Sequence, residues 1–220
     1  MDMVLTPEEV RVLGSLMEKE LATPEYYPLS FNALVNACNQ KSNRSPVVAY
    51  TDDSVLGALE GLIKKDIVFQ SNVSRVPKYE ELIVRRFGLV PREAAVLCIL
   101  FLRGDQTPGE VRIRTERMYA FNDLDDVVSV MDEMIDSGYI EKLPRKPGHK
   151  EVRYRQLFSD HPADRDSGPA GWDLRQQEPV SPAAPVNDER LEALERQVEI
   201  LSQQVDELTR AFERFRSQFE

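Results

Sequence analysis

The residues in this sequence best suited to chemistry are cations and amides rather than catalytic groups. Gln40, Lys41, Ser42, Asn43 and Arg44 form an unbroken polar run. Gln, Asn and Arg can make paired hydrogen bonds to base edges, and Lys and Ser suit phosphate oxygens. A polar surface loop whose Asn and Ser side chains satisfy local backbone groups accounts for the same run. Further cations stand in three groups: Arg75 and Lys78; Arg112, Arg114 and Arg117; and Arg145, Lys146, Lys150, Arg153 and Arg155. On an exposed ribbon the first and third groups can meet phosphates, or they can guard a strand edge against aggregation, whereas the second group stands just before a helix.

Groups for catalysis are sparse. The two histidines, His149 and His161, fall in a turn and a proline-rich stretch, with no nucleophile and base spaced around them. There is no Gly-rich phosphate loop, no paired-cysteine motif and no metal-ligand spacing. The carboxylate pairs Asp52-Asp53 and Glu18/Glu20 read as charged helix ends and solvated faces. The expectation is a non-enzyme without metal or cofactor. Cys38 and Cys98 sit inside helical apolar patterns and read as buried, reduced thiols of a cytoplasmic protein.

The elements that must position these cations come from an internal repeat. Pro7, Glu9, Val12, Leu13, Leu16, Thr23 and Pro24 match Pro91, Glu93, Val96, Leu97, Leu100, Thr107 and Pro108, 84 residues later. Val55, Leu59, Leu62, Ile63 and Val68 match Val127, Met131, Met134, Ile135 and Ile140 at an offset of 72. Lys78, Tyr79 and Leu82 match Arg153, Tyr154 and Leu157 at an offset of 75. Offsets that change only between blocks describe two copies of one unit with loops of different length.

Each copy predicts three helices and a two-stranded ribbon. In the first, Thr6 to Glu9 is a capping box opening a helix that buries Val10, Leu13, Met17 and Leu21. Ser30 caps a short helix carrying Phe31, Leu34, Val35 and Cys38. Thr51 to Lys65 is the third helix, followed by β-like runs at Ile67 to Gln70 and Arg75 to Val84. In the second copy the helices are Pro91 to Leu102, one opened by the capping box Thr107 to Glu110, and Asp123 to Ser137. The runs Tyr139 to Leu143 and Val152 to Leu157 follow. The fold class is therefore mainly α with small β wings: two tandem winged-helix (helix-turn-helix) domains, at 1–86 and 87–158.

Residues 159–186 carry five prolines and read as a disordered linker, with Trp172 an incidental aromatic. Residues 187–220 then place Leu191, Leu194, Val198, Leu201, Val205, Leu208, Phe212, Phe215 and Phe219 at 3,4 spacing. That is a coiled-coil seam, with a homodimer as its expected product. The net charge of −10 is concentrated here, since residues 158–220 hold 7 Lys/Arg against 14 Asp/Glu. The two repeats are almost neutral: 10 against 12 in 1–86, and 11 against 12 in 87–157. A near-neutral segment permits a basic face without implying one. The longest apolar run, Ala94 to Leu102, is far short of the ~20 residues a membrane span needs.

Several stretches resemble the YceH-like bacterial family. They are Val10-Arg11-Val12-Leu13-Gly14, Glu18-Lys19-Glu20-Leu21, Tyr27-Pro28-Leu29-Ser30, Asn36 through Arg44, Ser74 through Tyr79, and Leu102 through Glu110. The resemblance covers roughly residues 4–157 and is most specific at Asn39-Gln40-Lys41-Ser42-Asn43-Arg44. It implies a tandem winged-helix fold and carries no activity and no catalytic residue. Two functions follow as expectations. One is a DNA-associated regulatory or scaffolding protein that engages phosphates through its wings, Lys41 and Arg44. The other is an adaptor for a protein partner. The first is the leading expectation and the second its alternative, raised by the acidic starts of both third helices, Asp52-Asp53 and Asp123 with Asp125-Asp126, which would repel phosphates. Neither reading involves a membrane.

Overall fold

The computed structural model describes residues 3–73, 75–145 and 151–159. The expected linker beyond 159, the expected seam from Leu191 to Phe219, and the cations Lys146 and Lys150 lie outside the described residues.

Helix α1 (Pro7–Ala22) starts at a reciprocal cap. Thr6 Oγ1 accepts from the Glu9 amide at 3.2 Å, and Glu9 Oε2 accepts from the Thr6 amide at 2.8 Å. Two donors that the first helical turn leaves without partners are thereby satisfied. A 3₁₀ turn (Pro24–Tyr26) and strand β1 (Leu29–Ser30) lead to α2 (Phe31–Cys38), capped by the Ser30 hydroxyl. Helix α3 (Asp52–Lys64) is capped by Thr51, and strands β2 (Val68–Ser71) and β3 (Lys78–Glu81) follow. A short helix α4 (Ile83–Phe87), ended by Gly88 at φ 63°, connects to the second repeat. That repeat comprises α5 (Pro91–Arg103), α6 (Pro108–Thr115), α7 (Leu124–Asp136), β4 (Ile140–Lys142) and β5 (Tyr154–Gln156). The fold is mixed α+β, with antiparallel sheets ordered β1-β3-β2 and β4-β5.

The repeat is written into the register. Both bounds of α7 lie 72 residues after those of α3. Tyr79 stands opposite Gln70 and Glu81 opposite Val68, while Tyr154 stands opposite Lys142 and Gln156 opposite Ile140. These are the same pairings at the offsets of 72 and 75 found in the sequence. Leu29 also pairs with Tyr79, and Gln106 forms a bridge to Tyr154, so Gln106 takes the place of Leu29. Ser30 and Thr107 are then the equivalent caps.

This corrects one match. Thr23-Pro24 opens the 3₁₀ turn, whereas Thr107-Pro108 opens α6. The two pairs share proline's preference for the first position of a turn, not a place in the repeat. The sequence also missed β1 and α4. Strand β1 is only two residues long, too short for a period-2 pattern. Helix α4 interrupts the run expected from Arg75 to Val84, because the Glu81 carboxylate accepts from the Val84 amide at 3.0 Å and turns the chain.

Helix α1 is buried without interruption from Glu9 to Met17, since α2, α3 and α5 all pack against it. Gly14 and Cys98 hold the same position in α1 and α5, 84 residues apart, and they touch: Cys98 Sγ lies 3.5 Å from the Gly14 carbonyl oxygen. A position that meets its own repeat copy marks a local two-fold relation between the two helices. A Cβ on Gly14 would lie 2.9 Å from the Phe101 Cβ, so glycine is what allows this approach. One hydrophobic core runs from Leu5 to Phe158. Phe158 is fully buried against the rings of Phe87, Phe101 and Tyr139, at 5.4, 5.5 and 6.0 Å. Its carbonyl accepts from the Leu5 amide at 2.7 Å, and Ser159 bridges Leu5. Ser159, expected in the linker, therefore belongs to the folded part.

Candidate nucleic-acid interface

The polar run between α2 and α3 is shaped by its own side chains. Asn39 brackets the loop's far end: its Nδ2 donates to the Tyr50 carbonyl at 2.9 Å, and its Oδ1 accepts from the Tyr50 amide at 2.8 Å. Asn43 adopts the left-handed backbone (φ 59°), which Asn tolerates better than most residues. Its Oδ1 accepts from the Arg103 guanidinium across the repeat boundary. Gln40 is half-buried, and Lys41, Ser42 and Asn43 face solvent.

Arg44 points the other way. It is 6% exposed, and its guanidinium pairs with both Glu18 carboxylate oxygens, at 2.9 and 2.7 Å. It also donates to the Ala37 carbonyl at 2.9 Å. Burial by itself would raise the proton affinity of Glu18, but the hydrogen bonds and charge of Arg44 outweigh it and hold the carboxyl below its usual range. The expected phosphate contact from Arg44 is thus replaced by an internal one. Beside it, Arg11 is 4% exposed and donates to the carbonyls of Pro46 (2.6 Å) and Cys38 (3.4 Å). Sequence periodicity gives no sign of Arg11, whose partners are the end of α2 and the loop after it, 27 and 35 residues away.

Several other expected cations are also occupied. Arg114 donates to Gln106 Oε1 and lies 3.6 Å from Glu110. Arg153 pairs with Glu110 at 2.9 Å and donates to the Asp105 carbonyl at 2.7 Å. Arg155 makes a two-point pair with Asp105, both bonds 2.9 Å. These bonds fasten β5 to the start of α6. Arg153 and Arg155, held by hydrogen-bonded carboxylates, lose those partners if they turn to a phosphate. Arg112 is exposed and donates to the Asn122 carbonyl at 3.1 Å. Lys41, Arg75, Arg117 and Arg145 are exposed, and Lys78 is partly covered on β3.

The third helices present acid. On α3, Asp52, Asp53 and Glu60 are exposed. Helix α7 contains no Lys or Arg, and Asp125, Asp132, Glu133 and Asp136 are exposed, with only Glu133 paired, to Arg92 at 2.8 Å. The first ribbon instead presents apolar surface: Phe69, Val73 and Val76 are 49%, 97% and 53% exposed. The sequence marks the cations of this ribbon but gives no sign that these three face solvent. Among the described residues, no group of three or more His, Cys, Asp or Glu could hold a metal ion. No described helix is long and apolar enough to cross a membrane. Cys38 and Cys98 are both buried and unpaired in any disulfide. Burial pushes the Cys38 thiol up to about 11 and Cys98 well above its ordinary value.

Two copies of a three-helix unit with a β ribbon, carrying internal arginines and acidic third helices, define the class of fold. A family described as "Protein of unknown function, DUF480" matches residues 5–149. A UPF0502 protein of Solibacter usitatus is 47% identical over 221 residues, spanning all of both chains. One from Pelobacter propionicus is 44% identical over 226 residues, again spanning both. Another, from Koribacter versatilis, is 49% identical over 77% of this chain and 80% of its own. The chain belongs to this DUF480/UPF0502 family, consistent with its YceH-like resemblance.

Proposed function

We propose that this protein is a non-enzymatic cytoplasmic adaptor: two tandem winged-helix units that hold a protein partner, paired into a dimer by the C-terminal seam. The observation that carries the reading is the first wing, where Phe69, Val73 and Val76 stand in solvent. Apolar groups exposed on one ribbon cost hydration free energy unless a partner covers them. A phosphate backbone rewards cations at this position, not valines. Arg44, Arg153 and Arg155 are committed to Glu18, Glu110 and Asp105, and the third helices would bring carboxylates toward a groove. The DNA-associated alternative rests on the exposed Lys41, Arg75, Arg112 and Arg145.

The test places a photo-crosslinking residue at Val73 in cells and a second at the exposed Glu60. A defined protein captured at 73 is then purified and its binding measured by calorimetry. The adaptor reading expects direct binding that is lost when Phe69 and Val76 are both changed to Ser. Equal binding by that variant overturns it.

A further inference from the structure

The repeat boundary gathers more positive charge than its own carboxylates balance. Arg103, the last residue of α5, meets the Asn39–Tyr50 loop through Asn43. Its own carbonyl accepts from Gln106 Nε2 at 3.0 Å, and the other end of the Gln106 amide accepts from Arg114. Gln106 thus ties Arg103 and Arg114 to one another. Behind them stand Arg44 and Arg11. Among the described residues, the ion pairs near this cluster are Arg44 with Glu18 and Arg114 with Glu110. Among the described residues, Arg11 bonds carbonyls and Arg103 hydrogen-bonds no carboxylate, so four guanidiniums share two carboxylates, Glu18 and Glu110.

Arg103 also carries a donor with no acceptor: its Nε is buried and without a hydrogen-bond partner. A buried N–H on a charged group left unsatisfied is costly, and an incoming acceptor recovers that cost. Burial, then the charges of Arg114 and Arg44, depress the proton affinity of Arg103, and Glu18 and Glu110 offset this only in part. An anion arriving here would therefore relieve both a repulsion and a missing bond. Arg114 keeps a quarter of its side chain exposed, so the cluster is open to solvent on that side.

We propose that this junction is a phosphate-binding subsite, in which Arg103 and Arg114 grip one oxyanion between the first repeat's loop and the second repeat's α5 and α6. A tetrahedral oxyanion suits it because guanidinium forks match two of its oxygens at once. The subsite stands independently of the adaptor reading. A phosphate held there would bridge the repeats at a place where Asn43 already joins them.

Full-length protein labelled with ¹⁵N in its arginines reports the site directly, through the side-chain Nε–Hε signals. Inorganic phosphate should shift the Arg103 and Arg114 signals saturably in the millimolar range, whereas chloride at equal ionic strength should not. R103Q should bind phosphate about tenfold more weakly, as should R114Q. The wild-type titration stands alone if either variant folds poorly. A mixed-sequence duplex added to the phosphate-loaded protein distinguishes the sources. Displacement assigns the subsite to a phosphate of a nucleic acid, and no displacement assigns it to free phosphate. Arg103 signals that do not move with phosphate, or R103Q binding as tightly as wild type, overturn the proposal.

Discussion

Changing Glu81 to Gln should make the protein more stable as pH rises, because the native carboxyl sits where its charge is unwelcome. Glu81 is 8% exposed at the end of β3, facing Glu20 of α1. The Tyr27 hydroxyl accepts from its amide at 2.5 Å, and its own Oε2 accepts from the Val84 amide at 3.0 Å. Burial, with the Glu20 carboxyl adding to it and the Val84 amide opposing it, pushes the Glu81 carboxyl from 4.5 up to about 8. A pKa raised on folding means that stability is fully present below the ordinary value and lost as pH climbs toward about 8. Each pH unit in that window removes ~1.4 kcal/mol, so the loss between about pH 5 and about pH 7.5 is on the order of 3 kcal/mol. Gln keeps the shape and the acceptor for Val84 but has no proton to lose. Urea unfolding of both proteins across this range is the assay. The stability difference should be small near pH 5 and should grow in favour of E81Q toward pH 8. A difference that does not change with pH would refute the reasoning, since it would place Glu81 among ordinary carboxylates.

Other substitutions test the packing and the internal ion pairs. Gly14→Ala should cost ~1–3 kcal/mol by overpacking against Phe101, read as a lowered Tm; an unchanged Tm would mean that α1 and α5 are not in close contact. Arg44→Ala should destabilise by ~3–5 kcal/mol because it strands the Glu18 carboxylate. Arg44→Lys should recover only part of that loss, since an ammonium cannot match the two-point pair. Removing residues 187–220 should turn a dimer into a monomer in sedimentation, and a full-length protein that is already monomeric at micromolar concentration would contradict the seam.

How far the sequence could be read depended on whether a feature was local. Helix starts were legible because Thr6, Ser30, Thr51 and Thr107 each cap through an amide three residues on. The equivalence of Tyr79 and Tyr154 was legible because a repeat preserves register even where loop lengths differ. The direction of Arg44 was not. Its neighbours Lys41 to Asn43 are all exposed, and Glu18 on α1, with the Ala37 carbonyl, explains why this one residue turns inward. Arg114 and Arg153 looked like a basic surface until folding brought both to Glu110. The apolar wing went unnoticed for the opposite reason. Phe69 lies in a strand-like run where an aromatic is expected to be buried, and only the sheet's pleat turns it to solvent while Val68 faces the core.

The most direct test of the central claim is a titration of the full-length protein against mixed-sequence duplex DNA, followed by fluorescence anisotropy at low and moderate salt. The account predicts no saturable, salt-dependent binding, because the third helices are acidic and the expected contacts Arg44, Arg153 and Arg155 are spent inside the fold. Saturable binding that weakens with salt, and weakens again when Lys41 and Arg75 are changed to Ala, would contradict it and return these units to nucleic acid.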